Sequence, residues 1–175
     1  MNKLFALLLL CTTLFTKQTA AQELKSAFLF DLNLDIDTPQ PIGPVPAGTR
    51  IVFPFKGGSV KSDKINGKVL PGGADWGLNL DSTTFKIDVR GTIETDDHAL
   101  IYFSYSGYLH ADAKKFAMIN AGKASELSPA DYYFRSNPVF ETSAPKYAWL
   151  NHTVAIGVGS IPAAGKVVYR VFAIK

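Results

Sequence analysis

Apolar and polar residues alternate with a period of two through most of this chain. Phe28, Phe30, Leu32, Leu34 and Ile36 interleave with Leu29, Asp31, Asn33, Asp35 and Asp37. Successive side chains of a strand point to opposite faces, so this spacing predicts a half-buried strand. Four prolines, Pro39, Pro41, Pro44 and Pro46, follow and predict a connection, because proline has no N–H to give to a ladder. The alternation resumes at Ile51, Phe53 and Phe55, and Gly57-Gly58 predicts a bulge or sharp bend. Asn66-Gly67 predicts a hairpin turn between Val60–Ile65 and Lys68–Leu70, since both residues tolerate positive φ.

The longest predicted strand runs from Phe85 to Thr95. Phe85, Ile87, Val89 and Ile93 share one face, and Lys86, Asp88, Arg90, Thr92 and Glu94 the other. Asp96-Asp97-His98 reads as the turn to an antiparallel partner, Ala99 to Leu109. Further strands are expected at about Tyr132 to Thr142, Val154 to Ile161 and Lys166 to Ile174, the last two joined at Pro162-Ala163-Ala164-Gly165. One helix interrupts them, capped by Asp112 and stopped near Gly122. Ser128-Pro129 predicts a second cap and a single helical turn. Roughly eight to ten strands joined by short turns imply an all-β fold with minor α content, a single antiparallel β-barrel with one short helix. A barrel is favoured over a sandwich because closure removes exposed edges.

The first residues do not fit that pattern. Lys3 precedes an apolar run from Leu4 to Phe15, shorter than the ~20 residues a membrane-spanning helix needs. Thr19-Ala20-Ala21 supplies small residues, completing the pattern of a signal peptide over residues 1–21. A lipoprotein reading through Cys11 fits less well, because Leu10 stands where a small residue is wanted. The barrel domain is then residues 22–175, exported to the periplasm or secreted, with no stable membrane insertion. Export removes Lys3, Lys17 and Cys11, the only cysteine, and takes the formal charge from +3 to +1. A near-neutral chain gives no electrostatic footprint for nucleic acid. Without a disulfide, stability must come from the core.

Several longer motifs stand in register. They are Gly43-Pro44-Val45-Pro46-Ala47-Gly48-Thr49-Arg50, Leu70-Pro71-Gly72-Gly73-Ala74-Asp75-Trp76, Thr95-Asp96-Asp97-His98-Ala99-Leu100-Ile101-Tyr102, Tyr132-Tyr133-Phe134-Arg135-Ser136-Asn137-Pro138-Val139-Phe140-Glu141-Thr142 and Lys146-Tyr147-Ala148-Trp149-Leu150-Asn151. In these the chain resembles the domain of unknown function 3237, also called uncharacterised protein family 0311, over nearly all of residues 22–175. The resemblance implies a β-barrel enclosing a pocket and no established general activity. It also implies glycine where His98 stands. Many relatives are intracellular, so the expected signal peptide marks a separate habitat.

Asp75 is the first candidate for chemistry. Gly72-Gly73 lets backbone turn tightly, and a carboxylate beside Trp76 could be desolvated toward a useful general base; the plainer alternative is a loop carboxylate binding backbone N–H groups. Arg90 could clamp an oxygen if its face lines the barrel, and is part of a solvated charge ladder if it does not. Arg50 stands at a strand start, where rim contacts are common. Tyr133, Arg135 and Glu141 alternate to one side, with Arg135 and Glu141 a candidate ion pair. Tyr102, Tyr147 and Trp149, with Trp76, have the apolar bodies and polar tips that suit a pocket and equally suit an ordinary core. His98, His110 and His152 lack metal-ligand spacing, and no cofactor fingerprint occurs.

Three functions remain open. The barrel binds a small, largely apolar organic molecule; or it is an acid–base enzyme of isomerase, cyclase or lyase type, using Asp75 with Arg50 or Arg90; or it is a structural barrel filled by side chains. A homodimer is compatible with each.

Overall fold

The computed structural model describes residues 23–175, so the expected signal segment lies outside the described residues. The strands are β1 (Ser26–Ile36), β2 (Gln40–Val45), β3 (Gly48–Lys61), β4 (Gly67–Val69), β5 (Ala74–Asn79), β6 (Thr84–Thr95), β7 (Leu100–His110), β8 (Tyr133–Ser136), β9 (Val139–Glu141), β10 (Ala155–Ala163) and β11 (Lys166–Ile174). Helix α1 (Ala113–Asn120) follows β7. Antiparallel pairing runs β1–β3–β5–β6–β7–β8–β10–β11 and returns to β1, so eight strands close a ring. This is the barrel that the alternation predicts.

The inward faces are the apolar ones. On β6, Ile87, Val89 and Ile93 are buried, while Lys86 and Arg90 are exposed. Residues 57–58 do form a bulge: Asp35 pairs with Gly57 and Ile36 with Phe55, leaving Lys56 extra. Asp112 caps α1 by accepting from the Lys115 N–H at 3.0 Å, and Ser128 caps the short turn Pro129–Asp131.

Four expectations need correction. The proline-rich stretch is strand β2, because β2 pairs only with β3 and an edge strand tolerates Pro41 and Pro44. Asn66-Gly67 is not a two-residue hairpin: Val60 pairs with Gly67, and Ser62 and Asn66 side chains organise the longer loop between. Gly67 is needed instead because a Cβ there would meet the Glu94 carbonyl at 2.4 Å. The strand expected from Tyr132 to Thr142 is broken into β8 and β9 at Asn137-Pro138. A bulge between Phe28 and Phe30 turns Phe28 outward, 43% exposed and edge-on to Phe172, and buries Leu29.

Along its axis the barrel has two unlike halves. At one end Phe30, Val60, Ile65, Ile93, Phe103 and Phe140 fill the interior, each at most 1% exposed. Over this end lies the 3-10 segment Pro145–His152, which inserts Tyr147 and Leu150. The other half is hollow.

Candidate functional site

The hollow half is a cavity of about 510 Å³. Its walls are apolar, among them Leu34, Phe53, Phe55, Phe85, Leu109 and Phe134. Its mouth is ringed by exposed residues: Pro39 before β2 and Pro41 on it, Asn120 at the end of α1 and Gly122 after it, and Gly165 between β10 and β11. Gly165 can turn there because its φ is +69°. Aromatic rings of the wall press against glycines of the next strand. A Cβ on Gly77 would meet Phe85 at 1.7 Å, and one on Gly159 would meet Phe134 at 2.5 Å.

Asp75 points into this cavity from β5. Ala74 and Asp75 pair with Arg90 and Val89, and Leu78 and Asn79 pair with Lys86 and Phe85, but Trp76 and Gly77 have no partner on β6. Within that interval the Asp88 N–H donates to Asp75 Oδ1 at 3.0 Å. From the β3 side, the Arg50 guanidinium donates to the Trp76 carbonyl. A carboxylate and a guanidinium thus occupy the break in the ladder.

Burial raises the Asp75 pKa to about 7, opposed by the Asp88 N–H, reinforced by the Asp88 charge and weakly opposed by Arg50. Desolvation penalises the charged form of an acid, and one backbone donor is too little to offset it. Two phenols share the cavity wall, Tyr105 on β7 and Tyr169 on β11, with ring centroids 5.0 Å apart and edge-on. Burial pushes both hydroxyls well above their ordinary pKa; for Tyr105 the charge and hydroxyl of Tyr169 and then Asp75 add to the rise, and for Tyr169 Asp75 adds to it while the Tyr105 hydroxyl opposes it. Both phenols are therefore neutral donors around neutral pH. Among the described residues the buried Tyr105 hydroxyl makes no hydrogen bond of normal geometry.

Of the residues singled out in the sequence, only Asp75 lines the cavity. Arg90 falls in the solvated charge ladder, the alternative given for its face. It lies on the outer face, 3.2 Å from Asp88 and stacked over Trp76 at 5.3 Å, so it cannot clamp an oxygen inside. Arg50 and Trp76 brace the ladder break from outside the lumen. Tyr102 and Glu141 are cross-strand neighbours on the outer face. Tyr133 and Arg135 stack on each other at 5.2 Å in a shallow outer groove. No Arg135–Glu141 ion pair forms among the described residues, because the break at Pro138 separates their strands. Trp149 is 41% exposed. Tyr147 is buried at the filled end, where it donates to Asp97 at 2.9 Å.

Tyr105 and Tyr169 were missed. The signal was available: each occupies an inward position of an alternating strand, between Phe103 and Gly107 and between Val167 and Val171. A tyrosine among apolar inward neighbours brings a hydroxyl into the interior.

The model of the family described as protein of unknown function DUF3237 matches residues 24–174. The chain belongs to that family. A UPF0311 protein of Rhodopseudomonas palustris strain TIE-1 is 31% identical over 134 residues, 77% of this chain and 86% of its own length. A UPF0311 protein of Clostridium acetobutylicum is 32% identical over 146 residues, 82% of this chain and 91% of its own. Among solved structures, a conserved protein of unknown function from R. palustris superposes with a TM-score of 0.84 at 28% identity, covering 89% of this chain and all of that one. A β-barrel-like protein from Acinetobacter baumannii gives 0.77 at 33%, covering 90% and 100%. An enzyme from Penicillium herquei gives 0.64 at 20%, covering 90% and 98%, a likeness of fold alone.

Proposed function

We propose that this member of the DUF3237 family binds a small, largely apolar organic molecule with one or two polar groups in the open half of its barrel. The cavity of about 510 Å³ carries this reading. Its size falls within the range of ligand pockets, about 300–1,000 Å³, and apolar walls around a few convergent polar groups are how such pockets hold and orient a guest. Asp75, Tyr105 and Tyr169 are those groups. Side chains fill only the other half, which disfavours a purely structural barrel. The N-terminal pattern of residues 1–21 supports a place of action outside the cytoplasm.

Native mass spectrometry of protein purified from its own host tests the proposal. The expected spectrum shows a non-covalent small-molecule adduct on the wild type, absent from Ile51→Trp, which puts an indole into the cavity that Ile51 lines. A wild type that carries no adduct and takes up no apolar dye overturns it.

A further inference from the structure

We propose that Asp75, Tyr105 and Tyr169 form a proton-transfer site for an enolisable carbonyl compound, a cyclic ketone or enone whose apolar body fills the cavity. The inference rests on the ligand-binding reading above and adds a reaction to it.

Geometry carries the argument. Asp75 Oδ1 is committed to the Asp88 N–H at 3.0 Å, which fixes the carboxylate on the wall. Oδ2 has no donor among the described residues and is the oxygen left to take a proton. The Tyr105 hydroxyl is buried beside the Tyr169 hydroxyl, and among the described residues it makes no hydrogen bond of normal geometry. A carbonyl oxygen that enters the cavity and reaches this pair meets a phenol donor in an otherwise apolar wall. Tyr169 packs edge-on against Tyr105 and holds its ring. All three side chains sit on strands of one closed ring, so their spacing is held rigidly. The apolar walls lower the local polarity, which strengthens a hydrogen bond to developing oxyanion charge.

The step balances without a co-reactant. Asp75 Oδ2 takes the proton from the carbon next to the carbonyl. The C–H electron pair becomes a C=C bond, and the carbonyl π pair moves to oxygen, where the Tyr105 hydroxyl donates to it. The Asp75 carboxylic acid then returns the proton to the same carbon or to the far end of the conjugated system, giving exchange or a double-bond shift. A base whose pKa lies near the working pH suits this step. Asp88 on β6, Arg50 on β3, Tyr105 on β7 and Tyr169 on β11 are the charged and titratable groups that bear on Asp75.

The probe is β-tetralone, a fused bicyclic ketone. Its binding is followed by ligand-observed NMR, and its exchange in deuterated buffer by loss of the α-proton signal. The expected wild-type exchange exceeds buffer and rises with pH through an apparent pKa near 7. With the ketone saturating, Asp75→Asn is expected to exchange at least about a hundredfold more slowly than wild type; Tyr105→Phe slows exchange about ten- to a hundredfold. If the ketone binds but exchange stays at the buffer rate, or Asp75→Asn exchanges like wild type, the proton-transfer inference fails and ligand binding stands. If the ketone does not bind at all, the proton-transfer inference fails, and the adduct and dye measurements decide the ligand-binding reading separately.

Discussion

The two halves of this barrel each hold a conspicuous aspartate, and they treat it in opposite ways. At the filled end, Asp97 accepts from Lys146 Nζ at 2.5 Å, Thr95 Oγ1 at 2.5 Å and Tyr147 Oη at 2.9 Å. Those hydrogen bonds hold its carboxyl well below the ordinary range, and the Lys146 ammonium is pushed up to about 12, chiefly by Asp97 and then by Tyr147. In the hollow half, Asp75 has one backbone donor and a pKa raised to about 7. The first arrangement favours the ion and ties the turn after β6 to the segment that covers the filled end. The second disfavours the ion and leaves an oxygen open. The filled end is built for stability, and the hollow end gives stability up, as functional sites commonly do.

The largest effect expected from this contrast lies in the side chains. Phe103→Ala in the filled half should cost about 3–5 kcal/mol, because it leaves a void among fully buried neighbours. Phe53→Ala should cost far less, roughly 1–2 kcal/mol, since one side of that ring already faces empty space. Urea unfolding of the two variants makes the comparison. Equal losses would mean that the two halves are packed alike.

Asp75→Asn should come next, and it should stabilise. The native pKa lies above the ordinary value of 3.8, so between about pH 4 and 7 the folded protein keeps a proton that the unfolded chain has released. Stability contributed by this group therefore falls as pH rises through that window, and the loss is complete above about pH 7. The shift from 3.8 to about 7 corresponds to about 4 kcal/mol. Asparagine can still accept from the Asp88 N–H and carries no charge. The variant should gain up to about 4 kcal/mol at pH 8 and nothing below pH 4, read from melting curves across pH. A variant destabilised at both ends of the range would make Asp75 a structural loop carboxylate, the plainer alternative.

A smaller loss is expected from Gly77→Ala. The new Cβ would stand 1.7 Å from the Phe85 ring, which must swing into the cavity. Overpacking of this kind costs about 1–3 kcal/mol. Here it should also shrink the guest space, so dye uptake should fall more than stability does. Unchanged uptake would place the Phe85 ring outside the path of the ligand.

Much of this architecture was legible in the chain because it rests on short-range alternation. The β6–β7 pair, the Gly57-Gly58 bulge and the Asp112 cap each depend on a few neighbouring residues. Orientation could also be read: once Phe85, Ile87, Val89 and Ile93 are placed inside, Arg90 must be outside. Asp75 was found through its glycine flank, but its cavity-facing role depends on the missing pairs at Trp76 and Gly77, a gap between strands that no local pattern records. The Tyr105–Tyr169 contact brings together residues 64 positions apart through ring closure. Pro138 splitting a strand and Gly67 yielding to the Glu94 carbonyl are likewise tertiary demands.

The smallest expected effect returns to the filled end. His98 is the one non-glycine residue with positive φ among the described residues, at +64°. A side chain in this region strains the backbone, and the family resemblance expects glycine here. His98 Nδ1 lies 3.0 Å from Glu94 Oε1, but its side chain is 85% exposed, and exposed ion pairs contribute little. His98→Gly should therefore stabilise by less than about 1 kcal/mol, relief of strain outweighing the added freedom of the unfolded chain. His98→Ala loses the same contact with Glu94 and keeps the strain, so it should be neutral or destabilising. Equal effects from the two variants would assign the turn to the Glu94 contact instead of backbone conformation. Neither change should alter ligand uptake, because this turn lies across the filled half of the barrel from the cavity.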